Sequence, residues 1–245
     1  MRMELGRYVY GAAAIGFGVI TLVWREFSIW QQNVPHVAMV VYLVAAVEIL
    51  GGLAILWKKT ARAGAVALAC LYLFFALTWV PRIAMQPGVY DRWGNFFEQF
   101  SIVSGALIAY GMLEAGDSER AGGAARIGYY GFGICVISFT LEQAFYLEGT
   151  ASFVPKWIPP GQMFWAVGTT LAFAGAAIAL LSGRVAQLAA RLLTAMIAGF
   201  GLLVWLPAPF RTPQQITSWA GNAQNTAILG AAWLAAEWLA GRNRN

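Results

Sequence analysis

Apolar runs of about twenty residues recur along this chain, each closed by a short polar or proline-containing break. A hydrocarbon layer of ~30 Å requires helices of that length. The pattern predicts eight helices, over residues 8–29, 37–57, 63–80, 95–113, 126–147, 162–182, 186–206 and 223–240. A closed β-barrel would need apolar and polar residues to alternate along short strands, and runs such as Val37 to Trp57 show no alternation. Composition agrees with spanning helices: 60% of the 245 residues are hydrophobic and 11% are charged, against roughly 25% charged in an average soluble domain.

The pattern also reads twice. Trp79, Pro81 and Pro87, followed by Trp93 and Glu98, return 126 positions later as Trp205, Pro207 and Pro213, followed by Trp219 and Gln224. Val34-Pro35 pairs with Val154-Pro155 at an offset of 120, and Gly51-Gly52 with Gly175-Ala176 at 124. The polar, glycine-rich stretch from Glu114 to Arg126 divides the copies, so the expected units are residues 1–115 and 126–245, joined by a linker over 116–125. Each unit holds four helices, an even number, so the second enters the membrane in the same direction as the first. The expected fold is an all-α membrane protein, with eight transmembrane helices arranged as two parallel-repeat four-helix bundles. Small residues at Gly51-Gly52, Ser101 with Gly105, Gly175 with Ala179, and Gly230 are expected to mark close helix contacts.

Charge sets the orientation. Of the 16 Lys and Arg residues, 11 fall on the side of the N-terminus and 5 on the other, so both termini are expected in the cytoplasm. The net charge of +5 follows from that bias, and with no basic stripe interleaved with aromatics a nucleic-acid partner is not expected. No small-residue cleavage site follows the first apolar run, so helix 1 is expected to stay as an anchor. Cys70 and Cys135 lie in separate apolar runs and read as small buried hydrophobes. Gly16-Phe17-Gly18 and Gly131-Phe132-Gly133 lie inside apolar helices and read as packing glycines, not phosphate cradles.

Ionisable groups at membrane depth cost a few kcal/mol each on insertion scales, which makes them functional candidates. Asn95 and Glu98 near the start of helix 4, Glu142 in helix 5, and Asn222 and Gln224 near the start of helix 8 gather toward the outer face, with Arg82 after helix 3. A pocket lined by Glu98, Arg82, Gln224, Asn222 and Asn95, roofed by Trp79, Trp93, Trp205 and Trp219, is one reading. The other is that these are helix caps, interfacial Trp anchors and an ion pair of Glu98 with Arg82. Glu48 stands apart near the centre of helix 2, where it is either a proton-handling or ligand-binding acid or a hydrogen-bonded structural one. His36, the one histidine, sits in an outer loop, and a single His with two scattered Cys offers neither a bis-histidine haem nor a zinc cluster, so no intrinsic metal is expected.

Helix 2 carries Val47-Glu48-Ile49-Leu50-Gly51-Gly52-Leu53-Ala54, followed by the basic turn Thr60-Ala61-Arg62 and another apolar helix. This run resembles the DoxX-like family of four-helix bacterial membrane proteins. The second half, from Val154-Pro155-Lys156-Trp157 into helix 6 and out through Ser182-Gly183-Arg184, looks like a divergent copy in which Phe173 and its neighbours replace the mid-helix acid. Some members of that family are membrane subunits of a thiosulfate:quinone oxidoreductase and others accompany oxidative-stress proteins. The resemblance implies an inner-membrane protein whose outward pocket binds a small hydrophobic molecule, a quinone for example, beside a soluble or membrane redox subunit. Two other functions stay open: a transporter or lipid-handling protein with Glu48 on its path, or a membrane enzyme doing acid–base chemistry on a lipid with Glu98 or Glu142 as proton donor.

Overall fold

The computed structural model describes residues 5–34, 37–113 and 119–242, and every regular element among them is helical. The long helices are α1 (Leu5–Trp24), α2 (Ala38–Leu56), α3 (Ala61–Thr78), α5 (Tyr90–Leu113), α6 (Glu119–Phe145), α8 (Gln162–Ser182), α9 (Ala186–Phe200) and α11 (Ile216–Arg242). Between them lie the short helices α4 (Val80–Met85), α7 (Leu147–Phe153) and α10 (Ala208–Arg211), and α9 runs on into a π-helical turn over Gly201–Trp205. Seven helical stretches are long and apolar enough to cross a membrane, so the protein is a multi-pass helical membrane protein. The α11 helix has the length at 27 residues but is not one of the seven. Asn222, Gln224, Asn225 and Thr226 lower its hydropathy, and it lies enclosed against α1, α5 and α9.

Neighbours follow a closed ring: α1 packs on α2, α2 on α3, α3 on α5, α5 on α6, α6 on α8, α8 on α9, α9 on α11, and α11 returns to α1. The α5 and α11 helices also meet each other. One end of the bundle gathers the described chain ends. There the Gly6 N–H donates to Glu237 at 3.3 Å, and Arg7 donates at 3.0 Å to the Ile55 carbonyl, one of the carbonyls that the end of α2 leaves unpaired. At the opposite, distal end Trp24 lies by Trp219 and Phe153 by Trp205.

Glycine decides how closely several of these helices approach. A Cβ on Gly52 would sit 2.7 Å from the Gly11 carbonyl oxygen, and one on Gly230 would sit 2.7 Å from the Tyr10 backbone. Such contacts replace the hydrophobic drive that helices lack inside lipid. Gly105 fits against Ala231 and Tyr10, and Gly18 and Gly133 are packing glycines against α2 and Leu181. Gly175 is different from its expected role: nothing lies within 4 Å of a Cβ placed there, because α8 turns that side outward. Cys135 is buried as expected, whereas Cys70 is exposed on the outer face of α3.

Several ends differ from the predicted ones. The α1 helix stops at Trp24 because Arg25 takes the left-handed conformation at φ 53°, and the chain then folds inward without helical structure. Phe27, Ser28, Trp30, Gln31 and Val34 of this segment are all buried, which explains why the apolar run reads as helix to residue 29. Irregular backbone at membrane depth is tolerated where protein encloses it. Of the expected linker over 116–125, residues 119–125 are the first turns of α6 and 116–118 lie outside the described residues. His36 and Pro35 also lie outside them.

Candidate functional site

Glu48 is the eleventh residue of α2, about 15 Å along the helix from Ala38 at 1.5 Å per residue. It is fully buried. Gly18 lets α1 come close at this level, since a Cβ there would meet the Ala45 carbonyl and the Glu48 Cβ. The Gln31 amide reaches in from the segment after α1 and donates to Glu48 Oε1 at 3.0 Å, while Ser28 donates to Gln31 at 3.3 Å. The hydroxyls of Thr21 on α1 and Tyr72 on α3 face the same carboxyl group. Neither Glu48 Oε2 nor the Tyr72 hydroxyl has a hydrogen-bond partner of good geometry.

A second acidic centre lies toward the distal end, between α5 and α6. The Glu142 carboxyl rests directly on the α5 backbone at Gly94, where any side chain would overlap it. Glu98 follows Gly94 by four residues and so shares its helix face. The Glu98 and Glu142 charges act on one another, with Asp91 adding a third. Both glutamates are half-buried. The Trp30 indole faces Glu98, and the Trp30 carbonyl accepts a 2.9 Å hydrogen bond from Trp79 Nε1. Two consecutive residues of one buried segment, Trp30 and Gln31, therefore attend two different acids.

The expected pocket is only partly assembled. Arg82 is exposed, with its guanidinium 5.8 Å from the centroid of the Trp79 ring, so the anticipated Glu98–Arg82 pair gives way to Glu98 with Trp30 and Glu142. Asn222 donates to the Trp205 carbonyl at 3.2 Å and Asn225 to the Ile197 carbonyl at 3.2 Å, so α11 supplies donors where the π turn disturbs the α9 ladder. Asn95 donates back to the Asp91 carbonyl at 2.6 Å. Gln224 accepts from Gln99 at 3.2 Å where α11 meets α5, both side chains buried.

The tryptophans divide by role. Trp79 is buried and bonded to the inward segment. Trp93 donates to the Pro87 carbonyl at 3.0 Å, and Trp219 to the Pro213 carbonyl at 3.1 Å, each clamping the proline six residues before it. Trp205 packs on Gly221 and lies 5.9 Å from Phe153.

Sequence reasoning missed Gln31, Trp30, Thr21, Tyr72 and Gly94. A polar run Gln31-Gln32-Asn33 beside buried aromatics was the available signal for the first two; Thr21 and Tyr72 are uncharged and stand in apolar helices without distinguishing context, and Gly94 sits in a charged stretch that reads as loop. No family model, curated protein or solved structure matches this chain.

Proposed function

We propose that this is a DoxX-like inner-membrane protein of eight transmembrane helices, a duplicated four-helix unit with both termini cytoplasmic. We propose further that it binds a small hydrophobic molecule bearing a carbonyl or hydroxyl oxygen at Glu98 and Glu142. Neighbour order supports the duplication: in each half the first helix packs on the second, the second on the third and the third on the fourth, while α5–α6 and α11–α1 join the halves in the same way. The Trp93–Pro87 and Trp219–Pro213 clamps stand at matching positions. Lys58, Lys59, Arg62, Arg184 and Arg242 gather at the end that holds the chain ends, which supports its cytoplasmic orientation.

The observation that carries the binding site is the Glu142 carboxyl seated on Gly94, one turn from Glu98. Two neighbouring carboxyls that repel as anions favour a shared proton, and a shared proton can be offered to a ligand oxygen. A quinone matches that chemistry, because each of its oxygens takes up a proton on reduction while a redox partner supplies the electrons. Mass spectrometry of small molecules extracted from gently purified protein is expected to find a quinone-class or lipid-like species. Glu98→Gln with Glu142→Gln is expected to lower its retention roughly tenfold or more, the scale of losing one or two buried hydrogen bonds. Equal retention by wild type and variant would remove the site.

The same carboxyl pair favours a second reading, an enzyme that isomerises or cyclises a lipid by acid–base chemistry. Turnover by the isolated protein, with no redox partner added, separates the two.

A further inference from the structure

We infer that Glu48, Thr21 and Tyr72 form a mid-membrane site for a monovalent cation of sodium size, beside the segment after α1 whose residues Phe27, Ser28, Trp30 and Gln31 fold inward. Glu48 lies about 15 Å inside α2, near the middle of a ~30 Å hydrocarbon layer, and is fully buried. A carboxylate there needs a counter-charge. Its described surroundings are neutral: the groups that act on it are the Gln31 amide and the Thr21 and Tyr72 hydroxyls. Arg7, the buried guanidinium of α1, is engaged far along that helix with the Ile55 and Leu56 carbonyls.

Gln31 occupies Glu48 Oε1, and although the Thr21 and Tyr72 hydroxyls face the carboxyl group, neither Oε2 nor the Tyr72 hydroxyl completes a hydrogen bond of good geometry. Both face the same space as the Thr21 hydroxyl. A carboxylate oxygen and two hydroxyls from three helices are the hard oxygen donors that an alkali cation takes. Gly18 holds α1 near enough for Thr21 to take part. Gln31 bonds Glu48 directly and Ser28 bonds Gln31, both buried along with Phe27 and Trp30, so an ion would enter or leave when that segment shifts.

The inference is independent of what binds at Glu98 and Glu142. Its test is the melting of the purified full chain in detergent as sodium chloride replaces choline chloride at fixed pH and ionic strength. A saturable, sodium-specific rise in Tm is expected. Glu48→Gln should abolish the rise, and Tyr72→Phe or Thr21→Val should move its half-saturation upward about tenfold, which corresponds to one lost ligand. Should Glu48→Gln fail to fold, the two hydroxyl variants carry the test. Identical melting in sodium and choline would overturn the site. So would an infrared carboxylic-acid band that persists at saturating sodium and vanishes in Glu48→Gln, because a proton would then hold the position.

Discussion

Inside the first half, α2 presents Glu48 to an amide and two hydroxyls, and an irregular segment folds inward to reach it. At the corresponding level of the second half, α8 presents Phe173 to Phe139 and Phe200, with ring centroids 5.8 and 6.1 Å apart. Between α8 and α6, Gln143 accepts from Thr169 and Thr170 at 3.3 and 3.1 Å. The α8 and α9 helices also bury a smaller share of their length than α2 and α3 do. At this level one half thus keeps an acid with its donors and the other an aromatic cluster. An aromatic interior needs no partner to hold it together, whereas a buried acid persists only where donors, a proton or a cation answer it. The inward segment after α1 is the structural provision for that, and α7 with the stretch that follows it takes its place in the second half.

The comparison is broken most severely by moving the acid. Phe173→Glu places a carboxyl among Phe139 and Phe200 with no equivalent of Gln31 or Tyr72, and is expected to cost about 3–5 kcal/mol, the scale of an unpaired buried charge. Loss of monodisperse protein on size-exclusion chromatography in detergent would register it. A well-folded variant with unchanged melting would mean that the second interior already offers donors to an acid.

Glycine packing gives the next largest contrast. Gly52→Leu drives a side chain into the Gly11 carbonyl and the Ile15 amide, and is expected to destabilise by about 3 kcal/mol, the upper range for overpacking. Gly175→Leu, in the paired segment of α8, enters open space and should change melting by less than about 0.5 kcal/mol. Equal losses would show that a partner covers α8.

Much of this architecture was legible because lipid imposes length and apolarity on each span. The predicted helix over 162–182 coincides with α8, since Gly161 and Gly183 bracket an uninterrupted apolar run. Distal ends were harder to read. Asp91 and Arg92 look like loop, yet α5 begins at Tyr90, and Asn222, Gln224 and Asn225 look like the polar entry to a helix that in fact starts at Ile216. Hydropathy cannot distinguish a polar side chain facing water from one facing the next helix. For the same reason the acids were identifiable and their partners were not: Glu48, Glu98 and Glu142 stand out in apolar sequence, but Trp30 and Gln31 reach them only through a turn that no periodicity encodes.

The smallest effect sharpens the comparison most, because it bears on likeness between the halves. Trp93 and Trp219 each donate an indole N–H to the carbonyl of the proline six residues earlier, at 3.0 and 3.1 Å. Both bonds are exposed to solvent or headgroups, where water can replace the lost donor, so Trp93→Phe and Trp219→Phe should each cost about 0.5–1 kcal/mol. Trp219 also lies 6.0 Å from Trp24, and a phenyl ring retains most of that contact. Under the proposed duplication the two corners should respond alike in detergent melting, and their effects should add in the double variant because they clamp separate prolines. A loss at Trp219 several times that at Trp93 would mean that the second corner holds α11 in place by contacts the first does not need, and that the matching sequence marks a shared turn without a shared load.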